Sequence, residues 1–301
     1  MFELKGIIPP MVTPFDANGD IVYADFESNL DRYLEAGVTG YLVLGSNGEA
    51  VYLDHDEKLR LIEVARNRIP DSMMMLAGTG LESTRATIEL TREAAERGVD
   101  GVLVKNPFYY KSRMDRDAYL AHFTAVADAS TVPVVLYNVP MFTGISMAAD
   151  VVIELSRHPN IHGLKESAGN VQLISEVVWS APPDRFSVLA GSAQTLYPNM
   201  MAGARGGIVA LACAAPAEML ALYRSVCDGD YSRAARLQRI LAPSAVAVTA
   251  KYGVPGLKAA MEMCGFRSGL PRRPLLRSDD AARQDLEGTF GRMHGQLAAS
   301  S

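Results

Sequence analysis

The sequence predicts an α/β fold, a (β/α)8 TIM barrel with a small C-terminal helical domain. Three observations carry this. Short apolar runs recur eight times along the first two-thirds of the chain. Loops marked by glycine or proline, followed by amphipathic stretches, separate them. After about residue 213 the rhythm stops and only helical pattern follows. Near-continuous apolar strands alternating with helices mean a parallel sheet covered on its other face, and eight such units in a row are what barrel closure requires. An open doubly wound sheet would need no eighth strand, and the phosphate loop such sheets usually carry after their first strand is not found here.

The runs are GIIPPMVTPF (6–15), GYLVLGS (40–46), MMMLAGTG (73–80), GVLVKNP (101–107), VPVVLYNVP (132–140), IHGLKES (161–167), FSVLAGS (186–192) and GGIVALA (206–212). After the second run, Asp54 is placed to cap a helix and Glu57 sits at the capping-box position. Leu59, Ile62, Ala65 and Ile69 then fall on one helical face. After the third, Ser83 opens a helix that Gly98 closes. AGVTGYLVLG and ERGVDGVLVK are variants of one helix-to-strand phrase. The stretch AEMLALYRSVC reads as the last barrel helix, which sets the expected domains at 1–225 for the barrel and 226–301 for the helical appendage.

Composition narrows the function. The chain has 301 residues, 49% hydrophobic and 21% charged, enough apolar content for a substantial core. A formal charge of −5 offers no basic surface for nucleic acid. The three cysteines, Cys213, Cys227 and Cys264, show no CxxC spacing and read as thiols of a reducing compartment. No apolar run approaches about 20 residues, so no membrane span is expected. Early Glu3 and the pair Pro9–Pro10 argue against a signal peptide, and the expected location is cytoplasmic. His55, His122, His158, His162 and His294 form no HxH or HExxH pair, so no metal site is expected.

In such a barrel the chemistry collects at the C-terminal ends of the strands. Lys165 ends the sixth run. A lysine there either threads its stem along the barrel mouth to water or is desolvated by its neighbours and kept free to attack a carbonyl as a Schiff-base former. Lysines avoid full burial, so one inside an apolar strand needs a partner or a task. Lys105 on the fourth run is its competitor, and its place just before a polar turn suits snorkelling better. Tyr137 ends the fifth run and faces Lys165 from the adjacent strand. Its hydroxyl is either a satisfied core group or a carrier of protons during carbinolamine formation and dehydration. The turn GSNGE (45–49) lacks the GxxxxGK[ST] spacing of a nucleotide loop, but its amides and the Ser46 and Asn47 side chains make a small anion nest that fits a carboxylate.

Taken together, GIIPPMVTPF, GSNGEAVYLDHDEK, YNVPMFTG, GLKESAGN, LAGSAQTLYPNMMAGARGGIVALA and the late VPGLKAAMEMCG resemble the dihydrodipicolinate synthase / N-acetylneuraminate lyase superfamily of class I aldolases. The resemblance runs over nearly the whole chain. It implies a homotetramer built as a dimer of dimers, acting on a small 2-oxo acid that yields or uses pyruvate. Neither a metal nor an organic cofactor is implied, only a covalent imine on Lys165. Tyr137 is implied as the proton shuttle, with Ser46 and Asn47 holding the pyruvyl carboxylate and joining the relay. Tyr109 matches a tyrosine that completes the relay across a dimer interface. Ser167 matches a substrate-contacting position, and the backbones of Gly191 and Val209 are expected to line the pocket.

The departures bear on the subfamily. Dihydrodipicolinate synthases typically read YNVPxRTG, with an arginine that holds the aldehyde substrate's carboxylate, and here that position is Phe142. They also usually carry two threonines where Ser46 and Asn47 stand. GSNGE, the PFYYKSRM turn and the late VPGLK are similar to 4-hydroxy-2-oxoglutarate aldolases, which cleave their substrate to pyruvate and glyoxylate. That activity is the first expectation. Dihydrodipicolinate synthase, joining pyruvate and aspartate semialdehyde for lysine biosynthesis, and 2-keto-3-deoxy sugar acid aldolase are the alternatives. A small-acid-binding barrel without turnover is the non-enzymatic one.

Overall fold

The structure is a computed structural model that describes residues 2–299. Its strands are β1 (Gly6–Ile8), β2 (Gly40–Val43), β3 (Met74–Gly78), β4 (Gly101–Lys105), β5 (Val134–Asn138), β6 (Ile161–Glu166), β7 (Ser187–Ala190) and β8 (Gly206–Ile208). The helices between them are α1 (Tyr23–Ala36), α2 (His55–Arg68), α3 (Thr84–Glu96), α4 (Arg116–Ala129), α5 (Pro140–Thr143), α6 (Ala149–Leu155), α7 (Val171–Ser180) and α8 (Leu196–Met201). All strand pairs are parallel and the order is β1-β8-β7-β6-β5-β4-β3-β2. The ring is completed where Thr39 N donates to Ile7 O at 3.0 Å, Leu42 N to Pro9 O at 3.2 Å and Met11 N to Leu42 O at 2.9 Å. Pro9 and Pro10 sit at this seam, where their carbonyls serve and their missing N–H groups are not needed. The fold is a (β/α)8 barrel. No helix among the described residues is long and apolar enough to cross a membrane.

Alternation sorts the apolar side chains into two layers. Ile8, Leu42, Leu76, Leu103, Val135, Leu189 and Ile208 fill the interior, and a larger cluster packs the outer faces of the strands against the helices. Strand β6 contributes no hydrocarbon to the interior cluster. A Cβ on its Gly163 would lie 2.6 Å from the Leu4 side chain, which plugs the barrel from below. Lys165, two residues on, is the inward group above it. The helix starts follow the sequence. Asp54 accepts from Glu57 N at 2.8 Å while Glu57 returns a bond to Asp54 N at 3.0 Å, and Ser83 accepts from Ala86 N.

Beyond β8 come α9 (Leu211–Ala214), α10 (Pro216–Cys227), α11 (Tyr231–Val246), α12 (Gly253–Met263) and α13 (Asp280–Ala298). The boundary expected at residue 225 falls in the last turn of α10, and α11 opens at Tyr231 under the Asp230 cap. Between α11 and α12 the backbone runs as a five-residue π-helix, Ala247–Lys251. That widened turn carries Val248 and Thr249 to the mouth of the barrel.

Candidate active site

A cavity of about 70 Å³ opens at the C-terminal ends of the strands. Strand register builds it: Tyr137 pairs with Lys105 on one side and Lys165 on the other, so three polar side chains stand level on β4, β5 and β6. Lys165 is 4% exposed, and its ammonium lies 4.2 Å from the Tyr137 ring centroid. Among the described residues no carboxylate or carbonyl bonds to it. The Tyr137 hydroxyl meets Ser46 Oγ at 3.4 Å, a long contact that joins strand β5 to the turn after β2. Ser46, Asn47, Tyr137, Lys165, Ser167 and Gly191 all line this one cavity.

The turn itself is held in an unusual shape. Ser46–Gly48 is a single 3₁₀ turn, flanked by Leu44 with φ 58° and Glu49 with φ 53°. Left-handed backbone at a non-glycine residue costs roughly 1–3 kcal/mol and persists only where the surroundings enforce it. One enforcing contact is at Gly78, where a Cβ would stand 2.2 Å from the Leu44 carbonyl oxygen.

On the far side of the lysine, Ser167 Oγ is buried without a hydrogen-bond partner. A Cβ on Gly191 would sit 1.8 Å from that oxygen, so glycine is what makes room for the hydroxyl. Below the turn, Glu166 is fully buried and accepts from Asn138 Nδ2 at 2.6 Å and from Ala168 N at 2.5 Å. Burial raises its carboxyl above the usual carboxylate range, against the pull of those two donors. Gly191 N donates to Glu166 O at 2.6 Å, which ties β7 to the same turn.

Two residues expected at the site are not among those lining this cavity within the single chain. Val209 is fully buried in the outer layer, and its neighbours Ile208 and Ala210 line the cavity instead. Strand β8 ends at Ile208, and by Ala210 the backbone is already helical. Tyr109 is 75% exposed, stacked edge-on to Tyr110 at 5.1 Å, and outside the cavity of its own chain. Lys105 is inward at the level of Tyr137, but Glu82 pairs with it at 3.1 Å and it lies 4.8 Å from the Phe108 ring. It lines an adjoining cavity of about 270 Å³ that shares Ser46 and Tyr137.

Phe142 on α5, which stands at the position of the synthases' arginine, lines the cavity; sequence reasoning gave no role to its neighbour Met141, to Gln194 after β7, or to Val248, Thr249 and Val254 from the C-terminal segment, all of which line it too. Gln194 Nε2 donates to Thr249 Oγ1 at 3.1 Å, bridging barrel and appendage at the rim. Phe142 is 54% exposed there. Among the described residues no three His, Cys, Asp or Glu side chains converge on a point where a metal ion could be held. His55 instead pairs with Glu93 on the surface.

The arrangement brings together an amine without a polar partner, a phenol, two small hydroxyl and amide side chains on a constrained turn, and a further orphan hydroxyl. The sequence profile of the dihydrodipicolinate synthetase family matches residues 3–292. The chain belongs to that family. It is thereby a carbon–carbon lyase of the superfamily of pyruvate-using class I aldolases. The 4-hydroxy-tetrahydrodipicolinate synthase of Exiguobacterium sibiricum is 36% identical over 286 residues, 95% of this chain and 97% of the relative. That of Methanosphaerula palustris is 37% identical over 277 residues, 91% of this chain and 94% of the relative. Among solved structures, the 4-hydroxy-tetrahydrodipicolinate synthase of Methylacidiphilum fumariolicum SolV superposes with a TM-score of 0.93 at 30% identity, covering 99% of this chain and 98% of that one. YagE, a prophage protein of the dihydrodipicolinic acid synthase family from E. coli K12 solved with pyruvate, gives 0.91 at 29% identity, covering 97% of this chain and 99% of that one.

Proposed function

We propose that Lys165 forms an imine with pyruvate or a pyruvyl 2-oxo acid, and that the enzyme makes or breaks a carbon–carbon bond through the enamine that follows. The observation that carries this is the place of Lys165: buried in the barrel mouth, without a polar partner, and beside Tyr137. The free amine of Lys165 attacks the C2 ketone, and Tyr137 Oη carries the proton that lets the carbinolamine oxygen leave as water. The protonated imine then accepts the electron pair of the C3–C4 bond. As that bond breaks, the C4 hydroxyl gives up its proton to Tyr137 and an aldehyde departs. Protonation of the enamine at C3 and hydrolysis release pyruvate and restore the amine. In the synthetic direction the enamine attacks an aldehyde instead. Ser46, Asn47 and the amides of their turn hold the C1 carboxylate and fix the ketone for attack. Imine chemistry of this kind calls for neither metal nor organic cofactor.

The relatives' names favour 4-hydroxy-tetrahydrodipicolinate synthase, with aspartate semialdehyde as the aldehyde, over the 4-hydroxy-2-oxoglutarate aldolase that the motifs put first. A second reading is favoured by the rim. Among the described residues Lys165 is the one cation lining the cavity, and Phe142 stands where a carboxylate clamp is expected. An uncharged hydroxyaldehyde, as in 2-keto-3-deoxy acid cleavage, suits that wall. In the assembled protein, a homotetramer in this reading, Tyr109 reaches a neighbouring subunit's relay from its exposed loop.

The test is borohydride reduction in the presence of pyruvate, followed by peptide mapping. One carboxyethyl group on Lys165, lost in Lys165→Ala, is the expected result. An adduct on Lys105, or none on the folded protein, would overturn the assignment. Parallel condensations of pyruvate with aspartate semialdehyde, glyoxylate and glyceraldehyde then identify the partner by rate.

A further inference from the structure

The chain carries a second lysine as deeply buried as Lys165, and it sits in the C-terminal segment. Lys258, on α12, is 2% exposed. Its ammonium forms an ion pair with Glu49 Oε1 at 2.6 Å and donates to Thr13 O at 2.8 Å and to Leu270 O at 2.7 Å. Phe15 covers it at 4.7 Å. Glu49 is itself 2% exposed, and its second oxygen accepts from Arg272 N at 2.8 Å. Glu49 is the left-handed residue that closes the Ser46–Gly48 turn.

A second line of contacts reaches the same turn. Thr13, whose carbonyl Lys258 holds, donates its hydroxyl to Gly48 O at 2.7 Å. A Cβ on Gly48 would stand 2.9 Å from Met11 O, so this backbone is pressed directly onto the strand-one loop. Arg272 adds a third tie. It donates to Tyr52 O at 2.8 Å and grips Glu57 with two bonds of 2.6 and 2.7 Å, where α2 begins. Groups from α12 and the loop behind it thus meet the turn from below while Ser46 and Asn47 face the cavity above it.

We propose that Glu49 and Lys258 are positioning residues: through their buried pair, α12 holds the Ser46–Asn47 turn in the shape that receives the substrate's carboxylate. This deepens the reading of the site given above and rests on it. The C-terminal segment in this view does more than cover the barrel, because the anion nest keeps its geometry only while α12 is docked. A buried ion pair adds little net stability over well-packed hydrocarbon, and what two exact charges add is a fixed direction for the backbone that carries them.

The experiment uses the full-length protein with Glu49→Gln, Lys258→Met and the double variant Glu49→Leu/Lys258→Met, the last leaving no unpaired charge. Hydrogen exchange is followed at amides 45–49 and, as an internal reference, at those of β6. The pyruvate concentration for half-maximal borohydride trapping is measured alongside. In Glu49→Gln and in the double variant, exchange at the turn should quicken about tenfold while β6 is unchanged. Half-saturation should rise about tenfold with the trapped amount at saturation preserved. A purely structural pair would let the double variant recover wild-type exchange and wild-type half-saturation together with its unfolding midpoint, and that result would overturn the proposal. So would faster exchange at the turn with pyruvate binding unmoved. A wild-type protein that traps no pyruvate would fail the reading of Lys165, a separate result, and the exchange comparison would still decide the hold on the turn.

Discussion

Lys165 and Lys258 are both all but excluded from solvent, yet the chain treats the two amines in opposite ways. Lys258 has three oxygen partners: the carboxylate of Glu49 as an ion pair and two carbonyls that accept hydrogen bonds. Lys165 has a tyrosine ring against it and no oxygen partner among the described residues. Burying a cation is expensive unless it is paired and hydrogen-bonded, so the saturated amine is the one a stable core tolerates. The unsaturated one is retained against that penalty, facing a cavity where a ketone can arrive. In the proposed reading, the contrast separates a lysine that fixes backbone from a lysine kept available for bond formation.

Substituting each with methionine is the widest test of that contrast. Lys165→Met should lower turnover by at least about 10³-fold, because the proposed nucleophile is gone. Its unfolding midpoint should hold or rise, since an amine without a polar partner is replaced by hydrocarbon of similar length. Lys258→Met should lose about 3–5 kcal/mol in denaturant unfolding, because the Glu49 carboxylate is left buried and unpaired. Equal losses of stability in the two variants would break the comparison.

His122 sharpens it with a group satisfied at one end. On α4 it is 5% exposed; Thr84 Oγ1 bonds its Nδ1 at 2.9 Å, and Nε2 has no partner. Burial first, then the Lys105 ammonium, pulls the imidazole down to about 4, while Glu82 opposes. The folded state therefore favours the neutral ring. Between the unfolded value of about 6.5 and the folded one, the unfolded chain binds the extra proton, so stability is complete above that window and falls as pH drops through it. Over the full window the loss attributable to His122 is about 3 kcal/mol, and His122→Gln should flatten the wild-type stability profile there. A variant profile as steep as the wild type would move the acid sensitivity to other groups. His162, also lowered by burial, is the first of these.

The barrel and the heart of the site were legible because both follow from strand position. Eight apolar runs predict eight strands, and once Lys165 and Tyr137 are placed on adjacent strand ends, parallel register sets them side by side. Val209 was expected, from the resemblance, to line the pocket with its backbone; its side chain is buried in the outer cluster, between Ile208 and Ala210, which line the cavity. Tyr109 lies outside its own chain's cavity, and any role across an interface depends on a second chain that one sequence does not place. Thr249 and Val248 reach the rim through a π-helical turn, a hydrogen-bond register without a composition of its own. The pairing of Glu49 with Lys258 was also out of reach. Both stood in recognisable motifs, GSNGE and VPGLK, but nothing local to either shows that the other meets it.

The smallest expected effect belongs to a third lysine. Lys105 stands level with Tyr137 on β4 and is the natural rival for the imine, yet it resembles neither buried amine. Its ammonium reaches Glu82 at 3.1 Å, a carboxylate 43% exposed, so water screens the pair. Such pairs contribute at most about 1 kcal/mol. Glu82 also accepts from Phe108 N and Tyr109 N, each at 2.9 Å, and those bonds hold the loop after β4 without help from the lysine. Lys105→Met should therefore cost no more than about 1 kcal/mol and change turnover by no more than about twofold, with the borohydride adduct still mapping to Lys165. A large loss of turnover would mean that the adjoining cavity which Lys105 shares with Tyr137 takes part in the chemistry, and the division between a reactive and two structural lysines would have to be redrawn around Tyr137.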